Sequence, residues 1–117
     1  MKIKEEEQTL TVYLTGELDH HAAKPMREET DEALLLRRPK TLLLDFSGVS
    51  FMDSSGVGFV MGRYKKAAEL GCKTAVRGLS QKHERIMRFS GLPQLVEFRK
   101  VPVETAVQNH QISGDKK

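Results

Sequence analysis

Asp53-Ser54-Ser55-Gly56 gathers the reactive side chains of this sequence, and Glu17, Asp19, His20 and His21 form a second group. A serine hydroxyl has three uses. It attacks a carbonyl when a base and an orienting acid stand beside it. It caps a helix by accepting a backbone N–H. It also carries phosphate, with the charge that brings. His20 and His21 would be the bases of a small serine hydrolase, but the serines lack the Gly-x-Ser-x-Gly elbow that exposes such a nucleophile. Adjacent histidines point apart, and no cysteine or acidic ligand set surrounds them, so no metal is expected. Gly56-Val57-Gly58 with Gly62 misses the dinucleotide-loop spacing, and no Gly-x-x-x-x-Gly-Lys-Ser/Thr phosphate loop occurs. No cofactor is implied.

These residues need a frame. Lys2 to Glu6 reads as an edge strand, and Thr9 to Thr15 alternates, with Leu10, Val12 and Leu14 on one face, until Gly16. Asp19 can cap a helix from Ala22 to Leu36, with Pro25 tolerated in its first turn and Arg37-Arg38-Pro39 ending it. Thr41 to Phe46, without alternation, reads as a strand buried on both faces, as parallel sheets require. Val57 to Leu70 is an amphipathic helix with Val57, Val60, Met61, Tyr64, Ala67 and Ala68 on one stripe. Ser54 stands where that helix needs a cap. Gly58 and Gly62 cost it about 1 kcal/mol each in propensity, a reason to expect another backbone packed against them. Lys73 to Arg77 is a strand. The next helix spans Ser80 to Phe89, with Ile86, Met87 and Phe89 apolar. Ser90-Gly91-Leu92-Pro93 closes it. A strand at Leu95 to Arg99 and a helix at Val103 to Asn109 complete the series.

Alternating strands and helices predict an α/β domain over residues 1–110, with a flexible tail at 111–117. Its sheet is mainly parallel, with roughly four to five strands and about four helices. In such sheets the strand-to-helix loops share one edge, where sites lie. Glu17 to His21, Ser47 to Ser54 and Gly78 to Gln81 therefore converge, making Asp19 and Asp53 neighbours of the serine pair. Asp45, at the end of its apolar run, would suit the phosphoacceptor of a response-regulator receiver domain. That alternative lacks its acidic pair, because Glu17 and Asp19 do not supply one.

Composition narrows the partners. The 117 residues are 38% hydrophobic and 30% charged, a globular balance with no apolar run long enough to span a bilayer. Met-Lys-Ile-Lys-Glu-Glu-Glu lacks the apolar stretch of a secretory signal. Cys72 is alone and suits a reducing, cytoplasmic setting, buried near a strand start. The net charge of +3 is unevenly spread: ten acidic against seven basic residues in 1–50, four against ten in 51–100. The cations from Arg63 to Arg88 are scattered over several elements with few aromatics between them. Solvated helix faces, or docking of an acidic protein, account for them better than nucleic acid does.

Gly16-Glu17-Leu18-Asp19-His20-His21, Ser50 to Gly58, Gly62-Arg63-Tyr64-Lys65 and Ser90-Gly91-Leu92 together resemble STAS domains. Within them, these motifs are most similar to the sporulation type of anti-anti-sigma factor. The similarity runs from about residue 9 to residue 100, while Lys24-Pro25-Met26 departs from it. The resemblance implies a non-enzymatic regulator, an anti-sigma factor antagonist. Its unphosphorylated form would bind an anti-sigma factor that is also an ATP-dependent serine kinase, releasing a sigma factor. Phosphorylation would switch binding off, and a serine phosphatase would restore it. By position the acceptor falls on Ser54, with Ser55 the alternative. The partner surface would comprise Asp19, His20, His21, Asp53, Ser54, Ser55 and Gly56, with no membrane or direct nucleic-acid contact.

Overall fold

β1 (Lys2–Glu6) and β2 (Thr9–Leu18) form an antiparallel hairpin in the computed structural model, which describes residues 1–101. Glu7 and Gln8 make its two-residue turn, both at positive φ, the geometry that matches the strand twist. The Gln8 carbonyl accepts the Lys40 N–H at 2.8 Å, tying the hairpin to the start of β3 (Thr41–Met52). Between these strands runs α1 (His20–Arg37). After β3 come α2 (Ser54–Glu69), β4 (Lys73–Arg77), α3 (Gln81–Phe89), a single 3-10 turn (Leu92–Gln94) and β5 (Glu97–Arg99).

The five strands lie in the order β1-β2-β3-β4-β5. The β2–β3, β3–β4 and β4–β5 pairings are parallel and β1–β2 is antiparallel, so the sheet is mixed. Right-handed crossovers that always step in one direction put successive helices on one face, and α1 packs on α2, and α2 on α3. The described residues hold three α-helices instead of about four. The helix expected at Val103 to Asn109 and the tail at 111–117 fall outside them.

Alternation explains the core. Leu10, Val12, Leu14 and Leu18 of β2 face the helices and are buried, whereas Thr11 and Tyr13 are half-buried. Leu42, Leu44 and Phe46 of β3 join the same cluster with Phe59 and Val60 of α2, Met87 and Leu92. Leu43 and Ala75 are buried too but lie outside that cluster, as expected for residues on the opposite sheet face. Cys72 is buried at the entry to β4, and desolvation pushes its thiol pKa up.

Several boundaries differ from the sequence expectation. β2 does not stop at Gly16, nor β3 at Phe46; both strands continue to the helix caps. α1 begins at His20, which moves Pro25 to the sixth helical residue, in the second turn. A proline there leaves the His21 carbonyl without its usual helical donor. Ala68 and Phe89 are exposed, because α2 and α3 turn other residues inward: Arg63 and His83.

Arg63 is the least expected member of the interior. It shares the Phe59–Ala67 stripe, and its side chain is 5% exposed. Its Nε donates to Asp31 Oδ1 at 2.7 Å and its Nη2 to Asp31 Oδ2 at 3.2 Å, a two-pronged pair that pins α1 to α2. Nη1 donates to the Phe59 carbonyl at 3.3 Å, and the guanidinium lies 5.3 Å from the centre of the Phe59 ring. Burial pushes the Arg63 pKa down, while the Asp31 carboxylate pulls it back up. Removing one partner of a buried pair strands the other charge. Asp31→Ala should therefore cost about 3 kcal/mol in urea unfolding, and Asp31→Ala/Arg63→Met should recover most of it. Equal losses in the two variants would show that the charge pair is not what holds the helices.

Candidate functional site

β2 and β3 end level, and that alignment builds the site. Leu18 pairs with Met52, placing the strand ends about 4.8 Å apart. Levelling requires two register shifts, one between Tyr13 and Thr15 and one between Gly16 and Glu17. β3 carries the extra residue at each; without them Leu18 would lie opposite Ser50. Gly48 sits in the first shift, where a Cβ would come within 2.9 Å of the Leu14 carbonyl oxygen. A bulge near a strand end bends the strand and re-aims the side chains beyond it.

Each strand then passes into its helix through one residue. Asp19 and Asp53 are both extended in backbone and both are N-caps. Asp19 Oδ1 accepts the Ala22 N–H at 2.9 Å, and Asp53 Oδ1 accepts the Ser55 N–H at 2.8 Å. Two of the three expected loops are thus reduced to single aspartates, and only Gly78 to Ser80 remains a loop of several residues. The expected neighbourhood of Asp19 and Asp53 holds in a tighter form: two capped helix starts, side by side.

Asp53, not Ser54, caps α2. Ser54 is the first residue of the helix and exposed, and the cap N–H that it would have taken goes to Asp53. Ser55 is half-buried and faces α1. Gly56 is a helical residue, not a turn residue. A Cβ there would collide with the Met52 side chain, so the missing methyl lets the helix start sit on the strand end. His20 and His21 are exposed in the first turn of α1, with ring centres 5.9 Å apart in an edge-on arrangement. Their orienting acid is missing, since the Asp19 carboxylate is engaged with the backbone.

Asp45 is not a strand-end acceptor. It is buried, and Oδ2 accepts Arg77 Nε at 2.7 Å while Oδ1 accepts the Ser47 N–H at 2.8 Å. β3 continues seven residues beyond it. Both oxygens are committed, which removes the geometric basis of the receiver alternative.

Beside the serines a groove of about 570 Å³ runs between α1 and α2. His20, Lys24 and Arg27 form one wall, Ser55, Gly58 and Gly62 the other, and Phe59 and Arg63 also line it. The sequence showed the glycines as a smooth strip, but it did not show the basic wall opposite, because Lys24 and Arg27 are ordinary helical surface residues until α2 is placed beside them.

The sequence model of the STAS domain matches residues 1–109. The chain belongs to the STAS family. It is 40% identical over 83 residues to an anti-sigma F factor antagonist of Paenibacillus polymyxa, an alignment covering 71% of each chain. Among solved structures it resembles the anti-sigma factor antagonist SpoIIAA in its unphosphorylated form, with TM-score 0.75 and 30% identity over 92% of this chain and 93% of that one. The phosphorylated form of the Bacillus cell fate determinant SpoIIAA also matches, with TM-score 0.70 and 30% identity over 92% of this chain and 96% of that one. No helix of this STAS domain is long and apolar enough to cross a membrane among the described residues.

The cap assignment is measurable. Asp53→Ala should destabilise the domain by about 1 kcal/mol, and Ser54→Ala by less than about 0.5 kcal/mol. Urea midpoints rank the two, and the opposite ranking would return the cap to Ser54.

Proposed function

We propose that the chain is an anti-sigma factor antagonist whose unphosphorylated form binds an anti-sigma factor and releases its sigma factor. That partner is also a serine kinase, which supplies ATP and the transfer chemistry and phosphorylates Ser54. A serine phosphatase reverses the modification, and the cycle runs in the cytoplasm. Asp19, His20, His21, Asp53, Ser54, Ser55 and Gly56 form the partner surface. The observation that carries the reading is that Ser54 is an exposed hydroxyl with no capping duty, on a helix start flanked by two aspartates.

That position sets the physics of the switch. A phosphoryl group adds about −1.5 to −2 charges and three acceptor oxygens. It cannot take over the cap, because Asp53 already accepts the Ser55 N–H, and the carboxylates of Asp53 and Asp19 repel it. It projects outward, into a partner surface shaped for a neutral hydroxyl, while the domain stays folded. Likeness to SpoIIAA structures in both unphosphorylated and phosphorylated forms supports a local effect of this kind. A penalty of about 2.7 kcal/mol weakens binding ~100-fold, enough to exchange partners.

Incubation with the cognate anti-sigma kinase and Mg-ATP, then peptide mass spectrometry, should place one phosphate on Ser54. Phosphate on Ser55, or on neither serine, would refute the assignment. Ser54→Ala should bind the kinase like the unmodified chain and accept no phosphate, and Ser54→Glu should bind at least about tenfold more weakly.

A further inference from the structure

Nothing inside the described chain accounts for the two glycines in the middle of α2. A Cβ built on Gly58 or Gly62 meets no heavy atom within 4 Å, so neither glycine is needed for packing against α1 or the sheet. Glycine in a helix interior weakens it, and here the weakening has no internal return. The two residues keep one wall of the α1–α2 groove flat. Across from them His20, Lys24 and Arg27 are spaced so that they share one face of α1, and all three are exposed. No Asp or Glu lines the groove. Arg63, 4% exposed, adds a buried cation at the base. Three of its N–H groups are used, two on Asp31 and one on the Phe59 carbonyl, and a guanidinium has five. The groove is continuous with Ser55, the neighbour of the proposed acceptor.

We propose that this groove receives an acidic segment of the anti-sigma partner, with its carboxylates against Lys24 and Arg27 and its backbone along Gly58 and Gly62. The inference rests on the reading that the chain binds such a partner, and it specifies which chemistry of the partner is recognised. The flat glycine wall admits a main chain at a distance that side chains would forbid. The basic wall selects acidic sequence and steers the encounter. Ser54 lies at the end of the same surface, so a phosphate there adds negative charge where the groove calls for the partner's.

Binding of the purified cognate anti-sigma factor to three forms of the full chain tests this. Lys24→Glu/Arg27→Glu should weaken binding about tenfold at low salt and flatten its salt dependence. Gly58→Ala/Gly62→Ala should also weaken it by about tenfold or more, while raising the urea midpoint because a better helix former replaces glycine in open space. Unchanged affinity in both variants, with the wild type bound, overturns the groove and leaves the proposed function standing. Weaker binding with a lowered urea midpoint in the glycine variant assigns those residues to folding and overturns it as well. A wild-type chain that fails to bind refutes the proposed function itself.

Discussion

The level ending of β2 and β3 is the constraint on which the site depends. Two parallel strands of ten and twelve residues start together at Thr9 and Thr41, and finish together only because β3 absorbs its extra length in two bulges. Side chains alternate along a strand, so an odd shift of register exchanges the faces. Two single shifts restore the phase, keeping both Leu18 and Met52 buried against the helices. Each strand can then turn into its helix through one aspartate. A longer loop at either end would separate the carboxylates and loosen the angle at which α1 and α2 leave the sheet.

That angle is held a second time, one level out from the sheet. The Arg63–Asp31 pair ties the bodies of α1 and α2 together, while their N-termini are fixed by Asp19 and Asp53. A hydrophobic contact could bring the helices together without setting their rotation. A guanidinium bonded in two prongs to a carboxylate is directional, so it also fixes which residues face each other across the groove. The second buried pair, Arg77 with Asp45, does similar work between β4 and β3. These polar links run beside the apolar core, and their value lies in specifying geometry more than in adding stability.

Much of this was legible in the residues. Alternation in β2, the unbroken apolar run of β3 and the glycine stop after α2 marked the elements, and Asp19 announced its helix. The failures share a cause. Ser47 to Met52 is rich in small and polar residues, so its pattern resembles a loop; it is a strand because β2 supplies backbone partners from Thr15 to Leu18, a long-range fact absent from local pattern. Ser54 looked like a cap because capping preferences rank Ser and Asp alike; only the backbone geometry shows that Asp53 comes first. Arg63 did carry a signal, four residues from both Phe59 and Ala67 on one stripe, but a charge there is read as surface until its buried partner is found. Neither serine could be preferred on local chemistry, and the resemblance made that choice.

The separation of cap and acceptor gives the proposed switch its economy. If Ser54 capped α2, phosphorylating it would tear out a stabilising hydrogen bond, and the signal would be mixed with partial unfolding of the helix start. With Asp53 in that role, the helix keeps its cap in either state. Two opposing terms then act on the phosphate within the domain: attraction to the helix N-terminus, about 0.3–1 kcal/mol at an exposed position, and repulsion from the capping carboxylates. Because they offset each other, the free energy of folding changes little. What the added charge does change is the surface that a partner must meet. An interface next to two aspartates already requires its partner to tolerate negative charge at the helix starts. One more anion of about twice the charge, set outside the cap where it cannot be neutralised by the backbone, exceeds that tolerance while the fold beneath it remains as it was.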